Sequence, residues 1–122
     1  MILDTNIIID YLRDKAAAVT WFEGLKTKPA ISVITISELR AGVRKEEEEA
    51  LNEFLRGVEI FPISQEIANK AGEYLNKYQK SHGVRLGDAL IAATAEIKRK
   101  KLVTLNKKHF PMLEDILVPY SI

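Results

Sequence analysis

The 122-residue chain contains no cysteine, which removes disulfide scaffolds, zinc–thiolate sites and thiol catalysis together. Histidine is nearly missing too. Only His82 and His109 are present, which argues against a Ser-His-Asp hydrolase and against a histidine-rich zinc centre. No apolar run approaches the roughly 20 residues needed to span a bilayer. No basic stretch precedes the first apolar segment at Ile2, so no signal peptide is expected. Neither sign of charge dominates: 18 Lys and Arg face 17 Asp and Glu, a net +1. These absences point to a soluble cytoplasmic protein. The length suits one domain over residues 1–122 with a sizeable core.

What remains is an alternation of short apolar runs and helical periodicity. Ile2–Leu3, Ala30–Ile34, Val58–Ile63 and Leu102–Leu105 read as buried strands, with Ile116–Pro119 as a fifth candidate. Between them, Thr5–Leu12, Ala16–Leu25, Thr35–Gly42, Lys45–Arg56, Ser64–Lys80 and Gly87–Lys98 carry apolar residues at helical spacing. Ser81–Leu86 reads as a polar loop, and Glu46–Glu49 as an exposed helix face. The pattern predicts an α/β three-layer sandwich with a mostly parallel central sheet of four to five strands flanked by helices.

Three acidic residues stand on the most apolar segments. Asp4 ends the run Met1-Ile2-Leu3, Glu38 lies within Ile31–Gly42, and Asp88 opens Ala89-Leu90-Ile91-Ala92-Ala93. Buried carboxylates need partners. Each acid has a local explanation: Asp4 as a helix N-cap, Glu38 as the reaching acid of a capping box with Thr35, and Asp88 as a first-turn acid favoured by the helix dipole. Taken together, they suggest one shared pocket at the carboxyl ends of the strands, where α/β sheets bind ligands. An all-oxygen pocket of this kind suits Mg²⁺ or Mn²⁺. Asn106, after the fourth strand, can reach the same edge.

Four segments resemble the motifs of PIN domains, in order and over nearly the whole chain: Ile2–Ile9 with Asp4-Thr5-Asn6, Ile31–Gly42 with Glu38-Leu39, Leu86–Ala95 with Asp88, and Leu102–Phe110 with Asn106. The form Glu38-Leu39-Arg40-Ala41-Gly42 is similar to the VapC toxin branch. The resemblance implies a Mg²⁺- or Mn²⁺-dependent endoribonuclease with Asp4, Glu38 and Asp88 as metal ligands. Asn106 stands where many members place a fourth acid, which lowers the site charge. Thr5, Asn6 and Thr104 are implied to orient carboxylates or water. The resemblance further implies a homodimer and a cognate antitoxin, with the apolar faces of Ala16–Leu25 and Lys45–Arg56 as docking surfaces.

The chemistry fits these residue types. Hydrolysis of a phosphodiester bond by metal-activated water needs a cation to neutralise phosphate charge and carboxylates to hold it; Glu38 or Asp88 would accept the proton. For RNA binding, the bases between Asn76 and His109 outnumber the acids there, which are Asp88 and Glu96 alone. Lys80, Arg85 and Lys107 are the phosphate-contact candidates, whereas Lys98–Lys101 also suits a solvated helix end. His82 and His109 read as solvent-facing, and Trp21 and Phe22 as core or interface residues. A haloacid-dehalogenase-type phosphotransferase needs an acid two residues after Asp4, where Asn6 stands. A receiver domain needs a phosphoacceptor that Val58–Ile63 does not offer. The remaining alternatives are an RNA-processing PIN nuclease outside a toxin pair and a catalytically silent PIN-like binding module.

Overall fold

Strands of two or three residues form the centre of the molecule: β1 (Ile2–Leu3), β2 (Ala30–Ser32), β3 (Glu59–Phe61), β4 (Leu102–Val103) and β5 (Ile116–Leu117). A computed structural model describes residues 1–121. The sheet order is β3-β2-β1-β4-β5, and every pairing is parallel. Except at the edges, these strands are covered on both faces, which is why they read as unbroken apolar runs rather than as alternating ones. Ile2, Ala30 and Leu102 point to one face, while Leu3, Ile31 and Val103 point to the other.

Six helices supply the outer layers: α1 (Thr5–Leu12), α2 (Ala16–Glu23), α3 (Val33–Gly42), α4 (Glu48–Arg56), α5 (Gln65–His82) and α6 (Leu86–Lys98). On the first face, α5 contributes Ile67, Ala71 and Tyr74, and α6 contributes Ala89, Leu90, Ile91, Ala92, Ala93 and Ala95. The small side chains of α6 let it sit close to both the sheet and α5. On the second face, Ile7 and Ile8 of α1, Leu39 of α3 and Leu51 of α4 close over Leu3, Ile31 and Val103. The result is the expected three-layer α/β sandwich.

Several boundaries differ from those expected. Helix α3 begins at Val33, not Thr35, because the Ser32 hydroxyl accepts the Ile34 N–H at 3.3 Å and caps the helix inside a β-branched run. The stretch Lys45–Arg56 is split into a 3₁₀ turn at Lys45–Glu47 and α4. At that joint, Glu47 turns back to accept the Arg44 N–H at 2.9 Å and pairs with Arg13 Nε at 3.1 Å. Glu47 is therefore buried, while Glu46, Glu48 and Glu49 are exposed as expected. The Arg44 N–H bond, aided by Arg13, holds its carboxyl below the usual range. Helix α5 runs on to His82 and stops at Gly83, whose φ of 63° is the left-handed conformation glycine favours at a helix end. The loop expected over Ser81–Leu86 shrinks accordingly to residues 83–85.

Thr35 is fully buried and its hydroxyl has no hydrogen-bond partner among the described residues. An unpaired buried hydroxyl costs about 1–3 kcal/mol. Thr35→Val keeps the branched shape and removes that cost. Thermal unfolding should show Tm raised by roughly 3–6 °C; a fall would mean the hydroxyl is engaged in solution.

Candidate active site

The site begins with strand register. Strand β1 lies between β2 and β4, with Leu3 opposite Val103. The next residues on the two strands, Asp4 and Thr104, are therefore neighbours although 100 positions apart. The Asp4 N–H donates to the Val103 carbonyl at 2.9 Å. The Thr104 hydroxyl donates to Asp4 Oδ2 at 2.7 Å, and the Thr5 N–H donates to Asp4 Oδ1 at 2.8 Å. Asp4 thus does cap α1, but its second oxygen faces across the sheet. This is the point where the strand order reverses, the usual ligand position in open α/β sheets.

Glu38 comes from α3 and is half-buried. Because α3 starts at Val33, Glu38 lies beyond its first turn and is not part of a capping box. Its Oε1 instead accepts the Thr5 hydroxyl at 2.5 Å, which links α3 to the start of α1. Asp88 is the third residue of α6. Its Oδ2 accepts the Arg85 N–H over a long 3.4 Å, a weak cap that leaves most of the carboxylate's acceptor capacity free. The glycine before it, Gly87, opens a cradle: a Cβ built there would fall 2.5 Å from Glu38 Oε2.

One cleft is lined by Asp4, Glu38 and Asp88 together with Thr5, Asn6 and Arg85. Ile9, Leu86, Gly87 and His109 complete it. Burial pushes the Asp4 carboxyl above the ordinary carboxylate range. The bonds from Thr104 and Thr5 oppose that shift, and the negative charges of Asp88 and Glu38 add to it. Asp4 therefore feels the charge of both other acids. Among the described residues, no group of three His, Asp or Glu side chains stands placed to hold a metal ion together; Asp4 and Glu38 each accept a hydrogen bond from a threonine hydroxyl instead.

Other residues singled out in the sequence stand apart from this lining. Thr104 is buried behind Asp4 and accepts the Asn106 N–H at 3.0 Å. Asn106 is half-buried just beyond, and its side chain is not among the groups lining the cleft. Lys80, near the end of α5, and Lys107 are exposed and also outside it. His109, which read as solvent-facing, is exposed but at the cleft wall, carried there by the 3₁₀ turn Lys107–His109. Its spacing from Asn106 was the available signal. Gly87 gave none, since its role depends on a neighbour from another helix.

Comparison with known proteins shows the family of the chain. The PIN domain family model matches residues 1–113. The chain belongs to the PIN-domain family. Ribonuclease VapC19 of Mycobacterium tuberculosis is 39% identical over 123 residues, covering 98% of both chains. Ribonuclease VapC10 of the same organism is 37% identical over 125 residues, covering 100% of this chain and 94% of the relative. A toxin–antitoxin complex from Klebsiella pneumoniae contains a chain of the same fold, with a TM-score of 0.83 and 33% identity over 99% of this chain and 98% of that one.

A second concavity in this PIN domain shares no residue with the acidic cleft. It lies against α1, α2 and α4, with Tyr11, Phe22 and Phe54 at its base and Glu23, Glu46 and Glu53 at its edge. Phe22 stacks on Tyr11 with ring centroids 4.4 Å apart and meets Phe54 edge-on at 6.1 Å. Of the two aromatic residues expected to be core or interface, Phe22 lines this groove and Trp21 does not; Tyr11 and Phe54 join Phe22 there, with acidic residues around them.

The buried carboxylate of Asp4 has a stability consequence. Its folded pKa lies above the unfolded value of 3.8. The native state therefore binds the proton more tightly, and its stability falls as pH rises from 3.8 through the raised pKa. Asp4→Asn removes the ionisation while keeping an acceptor for Thr5. In chelator-treated protein, the Tm of Asp4→Asn should exceed that of wild type by roughly 2–5 °C at neutral pH. The gap should narrow on acidification towards pH 4 or so. A gap that is absent or reversed at neutral pH would show that the hydrogen bonds outweigh burial.

Proposed function

We propose that this PIN domain, acting as a single domain over residues 1–122, is a metal-dependent endoribonuclease and the toxin of a VapBC-type toxin–antitoxin pair. Its relatives over the full length are named as VapC ribonucleases, and structural neighbours come from toxin–antitoxin complexes. The observation that carries the reading is the meeting of Asp4, Glu38 and Asp88, from three distant segments, in one cleft where the other two charges are felt at Asp4. No helix among the described residues is long and apolar enough to cross a membrane, in keeping with a cytoplasmic site of action.

The donor set suits a hard divalent cation, Mg²⁺ or Mn²⁺: three carboxylates, no sulfur, and a glycine cradle that leaves Glu38 room beside Asp88. Asp4, Glu38 and Asp88 would hold it. When bound, it neutralises phosphate charge and makes water acidic enough to attack. The chain's own groups do the rest. Thr104 and Thr5 fix the carboxylates of Asp4 and Glu38 through hydroxyl bonds. Arg85 and His109 face the cleft and contact the RNA phosphate, and Asn6 and Asn106 orient water at its edge. Lys80 and Lys107 extend the basic track for the strand outside it. Glu38 or Asp88 takes the proton of the attacking water as the phosphorus–oxygen bond to the leaving strand breaks.

Cleavage of RNA by the purified chain should stop on chelation and return with Mn²⁺. Asp88→Asn should lower kcat by roughly 10²-fold or more, the scale of losing a group that acts on the transition state, with Tm held near wild type. Cleavage that persists after chelation, or in Asp88→Asn, would mean that the acidic cleft does not carry the reaction, whereas no cleavage with Mn²⁺ present would leave the silent RNA- or protein-binding module as the better account. Assembly as a homodimer belongs to the same reading.

The antitoxin partner fits the apolar groove. Its acidic rim suits a segment with an apolar face and flanking Lys or Arg. The double variant Glu23→Lys, Glu53→Lys should weaken co-purification with the cognate antitoxin while RNA cleavage by the isolated toxin is retained. Unchanged capture would move the docking site elsewhere.

A further inference from the structure

Gly87 differs from the other glycines of the chain. Gly42 and Gly72 have open space where a Cβ would stand, and Gly24 and Gly57 meet only ordinary contacts. Gly83 is required by its positive φ. Gly87 has no positive φ and lies in the first turn of α6, so its backbone suits any residue, and alanine is a better helix former. The three nearest atoms that a Cβ at Gly87 would meet all belong to Glu38: Oε2 at 2.5 Å, Cδ at 3.3 Å and Oε1 at 3.8 Å.

Glu38 is flexible but tethered at one oxygen. Its Oε1 is held by the Thr5 hydroxyl at 2.5 Å, so withdrawing Oε2 by about an ångström breaks that bond or swings the carboxylate out of the cleft. Its present place lies beside the start of α6, where unpaired N–H groups and the helix dipole favour negative charge. Asp88, the next residue after Gly87, faces the same cleft as Asp4 and Glu38. The missing side chain at position 87 therefore sets how near the α3 acid comes to the α6 acid.

We propose that Gly87 is a positioning residue of the acidic cleft: its lack of a Cβ holds open the space in which the Glu38 carboxylate comes within reach of the same cation as Asp88 and Asp4. The proposal rests on the cleft being a cation site. Gly87 touches neither cation nor RNA; it acts through Glu38 alone. The collision is with the far end of a flexible side chain, so a substitution there costs the fold little and the site much.

The test is Mn²⁺ binding by calorimetry, with Tm in chelator, for wild type, Gly87→Ala, Gly72→Ala and Glu38→Ala with and without Gly87→Ala. Gly87→Ala should leave Tm unchanged or raised and weaken Mn²⁺ at least tenfold, whereas Gly72→Ala should likewise leave Tm unchanged or raised but keep the Mn²⁺ affinity of wild type. In the Glu38→Ala background, adding Gly87→Ala should cause no further loss, since no carboxylate remains to be displaced. Equal Mn²⁺ affinity in wild type and Gly87→Ala overturns the proposal while leaving the cation site intact. An equal further loss in the Glu38→Ala background, or a lowered Tm in Gly87→Ala, also overturns it, because the glycine then serves helix α6 itself. No Mn²⁺ binding by wild type overturns the cation-site reading and this proposal with it.

Discussion

The parallel pairing of β1 with β4 is the constraint on which the site depends. It sets Leu3 against Val103, and so brings Asp4 beside Thr104 at the carboxyl edge of the sheet. Without that register the Asp4 carboxylate would be a helix cap with one exposed oxygen. With it, Asp4 is buried, doubly hydrogen-bonded and aimed at the switch point of the sheet. The rest of the cleft is assembled around this fixed point: α3 brings Glu38 to Thr5, and α6 brings Asp88 into the same lining.

Burial and function pull against each other here. The sheet's two apolar layers stabilise the fold by removing Ile, Leu, Val and Ala from water. The same enclosure destabilises the ionised form of Asp4, and its acidic neighbours add to that cost. Neutral donors from Thr104 and Thr5 offset part of it. A cation among three carboxylates would offset the remainder, so ligand binding and fold stability are coupled through one side chain. The small residues of α6 belong to the same economy of space. Its alanines let the helix lie close to the sheet, and Gly87 lets Glu38 lie close to the helix.

Much of this was legible in the residues. The alternation of apolar runs with helical periods carried the layer order, because strands covered on both faces and amphipathic helices leave distinct patterns. Asp4, Glu38 and Asp88 stood out because charge on an apolar segment demands a partner. Local chemistry was less transparent. Thr35 looked like a cap, yet Ser32 holds that position, because helix α3 starts inside a β-branched run. Glu47 looked like part of an exposed acidic face, yet it is drawn inward by Arg13, a residue 34 positions away. His109 read as solvent-facing and is exposed, but only the 3₁₀ turn shows that it stands at the cleft wall.

By itself, the sequence determined the family and the layer order, and it singled out three acids that share one cleft. These follow from side-chain type and short-range spacing, which act through hydrophobic burial and the desolvation of charge. Tertiary structure alone decided which donors hold each acid, that Arg85 and His109 face the cleft while Lys80 and Lys107 do not, and that an absent side chain at position 87 makes room for Glu38. Those outcomes depend on contacts between segments far apart in the chain, set to within an ångström by strand register and helix packing, and no local pattern encodes distances of that kind.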